Sequence, residues 1–479
     1  MRGVMTPAGQ SSRGTAELCG HRVKTAPVAA PPPSAGSPAA VPTLTPLQKR
    51  VWFLSGMGVF LDGFDLFIIG VALPLITAQF AMGDVGQGVV GGAAVLGAVI
   101  GAATMGRLAD HFGRRLVFMV DLSLFVVFAV LSAISWDLWS LVAFRFLLGA
   151  AVGADYPIAA TYLSEFMPAR VRGKWTVGAF SFQAAGMLMG AGLGVAILLS
   201  GIGEPLAWRL MLAAGAIPAL IIVWLRRSVP ESPKWQQRQR TGAARPPISA
   251  LFAPGMRRRT ILAVVPWFLM DVMMYGVGIF TPTILAAMAF AGDGTLASRD
   301  LASTDGAAFL DIFLVLGFVI AILLVERWGR MRLQLIGFAG TTLGLIILAT
   351  ASLGEGSTAF VFLGFAIFNL LVNAGPNSTT FLVAAEVFPT ELRATGAGLA
   401  ASAAKMGALL GIIALPVLKG AVGIPATVYI VAGASLLGFL VTAIFRVETA
   451  GRDLDELSTM PYPIPGGSGM DGDPVRAQA

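Results

Sequence analysis

The stretch GRLADHFGRR, residues 106–115, is a short charged segment between two long apolar runs, and its surroundings decide the fold. A related segment, VERWGR, occupies residues 325–330, and the glycines of the two segments, Gly113 and Gly329, lie 216 residues apart. A second pair of similar segments is FMPAR at 166–170 and FPTELR at 388–393, and their prolines lie 221 residues apart. Two pairs of similar segments at nearly the same separation predict that the chain arose by duplication of one unit.

The composition of the chain requires lipid as its solvent. Of the 479 residues, 56% are hydrophobic and only 12% are charged, about half of the charged share of an average soluble domain. This composition excludes a disordered protein, a fibrous protein and an ordinary cytosolic enzyme. One Cys and two His residues exclude a disulfide framework and a Cys- or His-rich metal site. The net charge of +7 is typical of basic loops beside a membrane, and we expect no nucleic-acid partner.

Long apolar runs fill the chain between its polar ends. A helix that crosses about 30 Å of hydrocarbon needs about 20 residues, and twelve runs of that order occur. They are residues 51–78, 86–106, 116–135, 138–165, 174–200, 207–227, 260–290, 308–326, 333–353, 358–388, 394–419 and 423–446. The predicted fold class is therefore an all-α membrane protein with twelve transmembrane helices in two pseudo-symmetric six-helix halves. The glycines of GAGLG at 190–194 predict close helix packing, because no strand or Lys of a phosphate-binding loop accompanies them.

Basic residues fix the predicted orientation. The loops after the even-numbered runs carry Arg107, Arg114, Arg115, Arg170, Arg172, Lys174, Arg226, Arg227, Arg257, Arg258, Arg259, Arg327, Arg330, Arg332 and Arg393. The opposite loops hold little more than Arg209, Arg299 and Lys419. Cytoplasmic loops are the ones enriched in Lys and Arg, so both termini are predicted to be cytoplasmic. We expect an integral protein of the plasma (inner) membrane.

The predicted organisation has five parts. A disordered cytoplasmic tail at 1–46 is rich in Pro, Ala, Gly and Ser and lacks the apolar core of a signal peptide. The two six-helix halves are 47–227 and 260–447. A cytoplasmic central loop at 228–259 joins them, and a second polar cytoplasmic tail occupies 448–479.

The charged segments between the runs predict a conformational latch. Gly113 permits a tight turn. Asp110 can cap a helix and pair with an arginine of the other half, while Arg114 and Arg115 are expected to stay in the cytosol. The alternative is a generic basic turn. The residues predicted to form this gate are Asp110, Gly113, Arg114, Arg115, Glu165, Arg172, Glu386 and Arg393.

Charged side chains inside the apolar runs are candidate functional residues, because charge at the bilayer centre costs about 2.5 kcal/mol or more. They are Asp62, Asp65, Arg145, Asp155, Asp271 and Lys405. A dry site favours the protonated form of a carboxyl group, so such a group can load and release a proton. Asp65 and Asp155 are the preferred proton carriers.

Position within a run refines this set of charges. Arg145 lies nearly three helical turns before Asp155, so we expect it to pair with the first run. The alternative is a static ion pair between Arg145 and either Asp62 or Asp65. Asp121 and Asp311 lie nearer the ends of their runs and are predicted to be interfacial.

The seventh run carries Trp267, Asp271 and Tyr275 at successive spacings of four. This spacing places an indole, a carboxyl and a phenol on one helical face. Such a face is not expected to meet lipid, and we interpret it as the lining of a central cavity. The alternative is a packed aromatic stripe with an ion pair to Lys405.

The segment at 106–115 resembles the signature of the major facilitator superfamily. RFLLG at 145–149, Glu165 and RVRG at 170–173 resemble its sugar-porter and phosphate-porter branch. GPNSTTF at 375–381 and AEVFP at 385–389 look like the phosphate:proton symporter family. That family's Gly-Gly-Asp-Tyr-Pro is matched at 153–157, with Ala154 as a departure. Its Asp-x-Tyr-Asp-Leu-Phe is matched at 62–67, with Phe64 for Tyr.

The resemblance covers all twelve runs and implies proton-coupled uptake of a small anion, inorganic phosphate, by alternating access. It also implies the site residues by position. The implied phosphate ligands are Tyr156, Gln183, Trp267, Asp271, Tyr275 and Asn377, and Lys405 matches a family Lys that faces the Asp of the seventh run. The implied proton-coupling residues are Asp62, Asp65, Arg145, Asp155 and Lys405.

Other functions remain open. A sugar symporter is favoured by Pro157, Tyr162 and Glu165, which fit the sugar-porter pattern, although the seventh run lacks the Gln-rich sugar-binding sequence. Organic-acid:proton symporters share the Asp-Gly-Phe/Tyr-Asp pattern of the first run. A transporter-like sensor would need signalling partners on its tails. No Walker loop, dinucleotide fingerprint, zinc spacing or nucleophile–base constellation occurs, so we expect no enzyme, cofactor or metal. The expected partners are the substrate, protons and lipid, with the protein as a monomer.

Overall fold

The computed structural model of the chain describes residues 43–241, 246–279, 312–351 and 358–454, together with positions 281, 310, 353 and 456. Most of both predicted tails lies outside the described residues, as do Asp311 and Arg299. The described residues form α-helices and one short 3₁₀ helix at Ile248–Phe252, and they contain no β-strand. The predicted all-α class is therefore confirmed.

Fifteen α-helices are described, numbered here in chain order. They are α1 (Pro46–Phe80), α2 (Asp84–Phe112), α3 (Arg114–Ala133), α4 (Leu138–Phe166), α5 (Arg172–Phe180), α6 (Phe182–Leu199), α7 (Glu204–Ala214), α8 (Ala216–Arg226), α9 (Pro233–Thr241), α10 (Pro254–Ile279), α11 (Ile312–Leu324), α12 (Arg330–Ala351), α13 (Thr358–Ala374), α14 (Pro376–Glu386) and α15 (Arg393–Phe445).

Ten helical segments among the described residues are long and apolar enough to cross a membrane. The pairs α5–α6, α7–α8 and α13–α14 each form one such segment. Helix α15 has 53 residues, far more than one crossing needs, and its backbone breaks at Gly423, where φ is 82°. It therefore contains both the eleventh and the twelfth predicted runs. The shorter α11 lies in the eighth run, and the total of twelve stays a prediction because parts of runs seven and eight lie outside the described residues.

Local sequence explains where two of these helices begin. Thr45 precedes α1 and accepts a hydrogen bond from the Gln48 backbone N–H at 3.3 Å, while the Gln48 side chain accepts from the Thr45 N–H at 3.0 Å. This reciprocal capping box satisfies two otherwise unpaired donors. Asp137 precedes α4 and accepts from the Ser140 N–H at 2.7 Å in the same way.

The outer surfaces of the spans are apolar. Leu199 is 83% exposed, Leu188 is 73% exposed and Ile217 is 68% exposed. Large aliphatic side chains would be costly to expose to water but match the hydrocarbon of a bilayer. The chain therefore has the surface of an integral membrane protein.

Glycines allow the helix backbones to touch. A Cβ added at Gly101 of α2 would lie 1.9 Å from the Ala150 carbonyl oxygen of α4. In α6, a Cβ at Gly190 would lie 2.7 Å from the Phe64 carbonyl oxygen of α1. The predicted packing role of the GAGLG stretch is confirmed at that position. Close approach through small residues is the usual way in which helices associate in membranes.

The two halves also meet backbone to backbone. A Cβ at Gly106 of α2 would lie 2.2 Å from the Ala394 carbonyl oxygen of α15, and one at Gly398 would lie 2.4 Å from the Ala102 carbonyl oxygen. These contacts bring the C-terminal end of α2 against the N-terminal end of α15. That end of the bundle carries the basic segments of the sequence and is called the basic end below.

We predict that Gly101→Ala destabilises the protein and that Gly192→Ala does not. The added methyl at position 101 must displace the backbone of α4, and overpacking of this kind costs about 1–3 kcal/mol. Gly192 also lies in an apolar helix, but nothing lies within 4 Å of a Cβ there. The midpoint of thermal unfolding in lipid nanodiscs is the measurement. Equal midpoints for the two variants would contradict the described α2–α4 contact.

Candidate functional site

Helix α1 supplies two carboxylates to the centre of the bundle. Asp62 and Asp65 are three residues apart, so they share one helical face, and both are buried. Arg145 of α4 donates to Asp65 with a distance of 2.7 Å between Nη1 and Oδ1. Gln183 of α6 donates to Asp62 with a distance of 3.3 Å between Nε2 and Oδ2. Arg145 thus pairs with the first run, as its distance from Asp155 predicted.

The predicted face of the seventh run lies inside the protein. Trp267 and Asp271 of α10 are buried, and Tyr275 is half-buried. The Trp267 ring approaches Phe381 of α14 edge-on, with 6.5 Å between the ring centroids. The face therefore meets protein and not lipid.

Lys405 of α15 connects the two halves electrostatically. Its ammonium donates to the Tyr275 hydroxyl at 3.5 Å and lies 4.5 Å from the centroid of the Tyr156 ring. Asp62 and Asp271 both interact with Lys405 electrostatically. Within the described part of the chain, however, no carboxylate lies within 4.0 Å of this ammonium. The predicted alternative of a direct ion pair between the seventh run and Lys405 is not what the structure shows.

A small cavity lies among these charges. It has a volume of about 20 Å³, and its polar lining consists of Asp62 and Asp65 from one half and Tyr275 and Lys405 from the other. A water molecule needs about 10–15 Å³ measured in this way. The cavity therefore has room for about one water, and the site is closed around its charges in this conformation.

Of the predicted phosphate ligands, Tyr275 lines this cavity. Tyr156 and Gln183 contact residues of its lining, Lys405 and Asp62 respectively. Tyr156 interacts electrostatically with Asp62 and Asp271. Asn377 of α14 instead donates to Asn373 Oδ1 at 2.7 Å and lies outside the cavity lining.

Asp155 has a partner that the sequence did not reveal. Arg226 of α8 is fully buried and lies 2.9 Å from Asp155 and 3.3 Å from Asp121 of α3. The assignment of Arg226 to a cytoplasmic loop was wrong, because its long side chain reaches back between α1, α3 and α4. The interfacial prediction for Asp121 was also wrong, since its side chain is 1% exposed.

Two ion-pair clusters close the basic end. In one, Glu165 lies 3.2 Å from Arg114 and 2.9 Å from Arg393 of the other half. In the other, Glu386 lies 2.7 Å from Arg172 of the other half and 3.3 Å from Arg330. The members of the two clusters occupy matching positions in the duplicated sequence. Each cluster contains one ion pair between the halves.

Two details of the predicted latch need correction. Asp110 forms its ion pair with Arg114 of the same half, at 2.9 Å, and not with an arginine across the halves. It does cap a helix of the other half, because the backbone N–H of Thr395 donates to it at 2.7 Å. Arg114 is fully buried and not cytosolic, whereas Arg115 is exposed. Gly113 has φ of 106°, which a side chain would strain.

Two further glutamates at the basic end were missed. Glu231 accepts from the backbone N–H groups of Arg114 and Arg115 at 3.0 and 3.1 Å, and so caps α3. Glu448 caps α12 in the same way, accepting from Arg330 and Met331 at 2.9 and 3.0 Å. Burial raises the pKa of the Glu231 carboxyl above its usual range.

The residues after these two glutamates join the gate. Ser232 donates to Glu165, and Thr449 donates to Glu386. The pairs Glu231–Ser232 and Glu448–Thr449 lie 217 residues apart, so the duplication offset was the signal that could have found them.

An aromatic pair closes the space between the gate and the central cavity. Phe180 of α5 and Phe381 of α14 stack face to face across the halves, with 3.9 Å between centroids and 8° between planes. Phe381 lies five residues before Glu386, or about 8 Å along the helix. The pair therefore forms a second closure beneath the ion-pair clusters.

Comparison with known proteins identifies the family of the chain. The sequence model of the Major Facilitator Superfamily matches residues 56–411. The chain belongs to the major facilitator superfamily. It is 31% identical over 488 residues to the probable inorganic phosphate transporter 1-10 of Oryza sativa subsp. japonica, covering 84% of this chain and 88% of that protein. It is 28% identical to a putative metabolite transport protein of Escherichia coli, covering 86% and 95%.

A solved structure shares the fold. A proton:xylose symporter of the superfamily, bound to 6-bromo-6-deoxy-D-glucose, superposes with a TM-score of 0.75 at 20% identity. The match covers 86% of this chain and 98% of that chain. It supports the two-half arrangement described above.

We predict that Glu165→Gln opens the basic end in a larger share of molecules. The neutral amide leaves Arg114 and Arg393 buried beside a weaker acceptor, and breaking a buried ion pair costs about 3–5 kcal/mol. The distance between spin labels at positions 112 and 327, in a background without Cys19, is expected to lengthen.

The matched control is Asp453→Asn, which neutralises an exposed partner of Lys234 at the same end. Exposed pairs contribute about 0–1 kcal/mol, so the label distance should not change. An unchanged distance distribution in Glu165→Gln would contradict the assignment of this cluster as a gate.

Proposed function

We propose that the chain is a proton-coupled transporter that carries a small anion, inorganic phosphate, across the plasma membrane by alternating access of its two halves. It acts as a transporter and not as an enzyme, and as a monomer in the lipid bilayer. The basic end faces the cytoplasm, because positively charged loops are retained on that side. Lys405 is the single observation that carries the proposal.

A buried cation without a close counter-ion favours an anionic substrate. The nearest groups to the Lys405 ammonium are a phenol hydroxyl and two aromatic rings. A buried charge of this kind costs free energy unless an opposite charge joins it. A bound anion would supply a direct ionic contact to the ammonium, whereas a neutral sugar would not.

The remaining side chains suit a phosphate oxyanion. The Tyr156 and Tyr275 hydroxyls, the Gln183 amide and the Trp267 indole N–H are all hydrogen-bond donors. Neutral donors beside one ammonium would bind an anion with lower affinity than an arginine cluster would, so the anion can still be released. The names of the rice relatives agree with this choice.

The buried charges supply the coupling to protons. At membrane depth, the described residues include five carboxyl groups and three cations. The carboxyl groups are Asp62, Asp65, Asp121, Asp155 and Asp271, and the cations are Arg145, Arg226 and Lys405. An unbalanced charge costs about 2.5–3.5 kcal/mol at this depth. Electroneutrality of these eight described groups therefore calls for two protons on the carboxyl groups.

An anion and a proton then bind together. Phosphate placed beside Lys405 would lie near Asp62 and Asp271, and like charges in a medium of low dielectric repel strongly. Protonation of those carboxyl groups removes the repulsion and converts them into hydrogen-bond donors. Each species thus raises the affinity for the other, which is the thermodynamic requirement for symport.

The closures at the basic end define the movement. Release of phosphate to the cytoplasm requires the Glu165–Arg393 and Arg172–Glu386 pairs to separate together with the Phe180–Phe381 stack. The halves can then rock apart about the central site. The paired clusters stabilise the closed state until that step.

The direct test is uptake of labelled phosphate into proteoliposomes with an acidic exterior. We expect phosphate to accumulate above its external concentration, because inward proton flow drives it, and a protonophore should abolish the accumulation. Unlabelled xylose and small carboxylates are included as competitors. Accumulation of a sugar or a carboxylate without phosphate would contradict the proposal.

The matched variants are Lys405→Gln and Lys419→Gln, on the same helix. Loss of the ammonium at 405 removes a charged contact worth about 1.5–3 kcal/mol, so phosphate affinity should fall tenfold or more. Lys419 lies outside the cavity lining and its variant should bind as the wild type does. Equal affinities for phosphate in the two variants would remove Lys405 from the site.

A further inference from the structure

A large apolar groove opens on the membrane-facing surface of the bundle. Its volume is about 590 Å³, which falls within the range of about 300–1,000 Å³ typical of ligand pockets. None of the side chains that line it is polar, and they come from α2, α4 and one position of α15. This space is called the α2–α4 groove below. Its lining includes Gly88, Gly92 and Leu96 of α2, Trp139 and Phe146 of α4, and Leu409 of α15.

Two glycines of α2 leave the space that forms the groove. Nothing lies within 4 Å of a Cβ added at Gly88, and a Cβ at Gly92 would meet only Leu409 Cδ1, at 3.9 Å. Further along α2, by contrast, a Cβ at Gly97 would lie 1.9 Å from the Phe146 carbonyl oxygen of α4. The groove therefore ends where the backbones of α2 and α4 come into contact.

The groove lies in the half of the span that is remote from the basic end, which α2 reaches at Phe112. Its lining runs from Gly88 to Leu96 on α2 and from Trp139 to Leu147 on α4. Eight residues correspond to about 12 Å along a helix. One leaflet contributes about 15 Å to a hydrocarbon core of about 30 Å. The groove thus has nearly the length of the acyl chains of a single leaflet.

Exposed tryptophans mark the entrance of the groove. Trp139 lines it and is 71% exposed, while Trp136 is 72% exposed and lies outside the lining. The Trp136 ring meets Phe144 of α4 edge-on, with 5.8 Å between the centroids. Exposed tryptophans are enriched at the level of the lipid headgroups. The groove therefore begins near the headgroups and runs toward the centre of the bilayer.

An acyl chain is the occupant that a bilayer supplies to such a groove. Water would find no polar side chain among the lining residues. A chain in the groove contacts protein on several sides, whereas a chain against a convex helix surface does so on one side only, so it gains more dispersion energy. A helix of a second protein copy would cross both leaflets, but the groove occupies only one.

The groove lies behind the wall of the central cavity. On α2, Val95 lines the cavity and its neighbour Leu96 lines the groove. On α15, Ala408 lines the cavity and its neighbour Leu409 lines the groove. One helix of each half therefore separates the two spaces. A chain in the groove would contact both halves, one helical turn from Lys405.

We propose that the α2–α4 groove binds one acyl chain of a phospholipid from the leaflet remote from the basic end. The site recognises the chain by shape and apolar contact, and the headgroup stays outside the groove. The bound lipid is thus distinct from the exchanging lipid around the rest of the protein. This inference is independent of the proposed function, because it requires only that the chain spans a membrane.

The test is a titration of the delipidated full-length protein with dioleoyl phosphatidylcholine in detergent, read by native mass spectrometry. The wild type should bind a first lipid saturably. In Gly88→Leu the new side chain enters open space and fills the groove, so the Kd of that lipid should rise tenfold or more, the equivalent of about two buried methylene groups. The absence of a saturable first lipid in the wild type would overturn the proposal.

The matched control is Gly91→Leu on the same helix. Nothing lies within 4 Å of a Cβ at position 91 either, but this residue does not line the groove. Its Kd for phosphatidylcholine should equal that of the wild type. Equal dissociation constants in Gly88→Leu and Gly91→Leu would overturn the assignment of the groove.

A second pair of variants keeps the test independent of changes in α2. Trp139→Ala removes part of the lining and should weaken binding of the lipid, whereas Trp136→Ala should not. Both side chains are exposed, so neither change threatens the fold. Dioleoyl phosphatidylglycerol should bind as tightly as phosphatidylcholine. A first lipid that binds only with the anionic headgroup would contradict recognition of the chain.

Photolabelling in vesicles locates the bound chain. A phosphatidylcholine with a diazirine in the middle of one acyl chain should label residues 88–96 and 139–147 more strongly than other lipid-facing segments, and Gly88→Leu should reduce that labelling. Even labelling that does not respond to Gly88→Leu would overturn the proposal. A protein dimer with these segments unlabelled would also overturn it, since a second copy would then cover the groove.

Discussion

Charge balance in a hydrocarbon-enclosed interior is the constraint on which this structure depends. Each carboxyl group at membrane depth must meet a cation, a proton or a set of donors, because the surrounding lipid offers none of these. Asp65 is balanced by Arg145, and Arg226 is shared by two carboxyl groups. Lys405 interacts with two carboxyl groups without touching either. Among the described residues at this depth, the acids outnumber the bases.

The same requirement explains the construction of the basic end. Seven charged side chains there are buried in two related clusters, and nearly every one has a partner from a neighbouring helix. Such clusters stabilise one arrangement of the halves and lose that stabilisation together when the halves separate. Backbone contacts at Gly106 and Gly398 bring the charges into range. The closed end is thus held by polar contacts that water can replace, in contrast to the apolar contacts within each half.

Sequence patterns predicted the features that depend on neighbouring residues in the chain. Apolar run lengths indicated the helices, and spacings of four placed Trp267, Asp271 and Tyr275 on one buried face. The depth of a side chain was harder to predict. Arg226 stands at the end of its run, where a charge normally meets water, yet its long side chain reaches the interior beside Asp121. Neither residue carries a local signal for the other, because their contact is created by the packing of α3 against α8. The position of the Asn377 amide and the ion-pair partner of Asp110 likewise depend on helix bends and contacts, which the spacing of residues in the sequence does not predict.

The most direct test of charge balance is a measurement of proton uptake during phosphate binding. Phosphate is added to the purified protein in lipid nanodiscs, in weakly buffered solution at a pH where phosphate is already the monoanion. Binding of the anion beside Lys405 should draw protons from the solution onto the neighbouring carboxyl groups, so the pH of the medium should rise in proportion to the phosphate bound. Saturable phosphate binding with no change in pH, or with release of protons, would contradict the coupling of anion and proton in this interior.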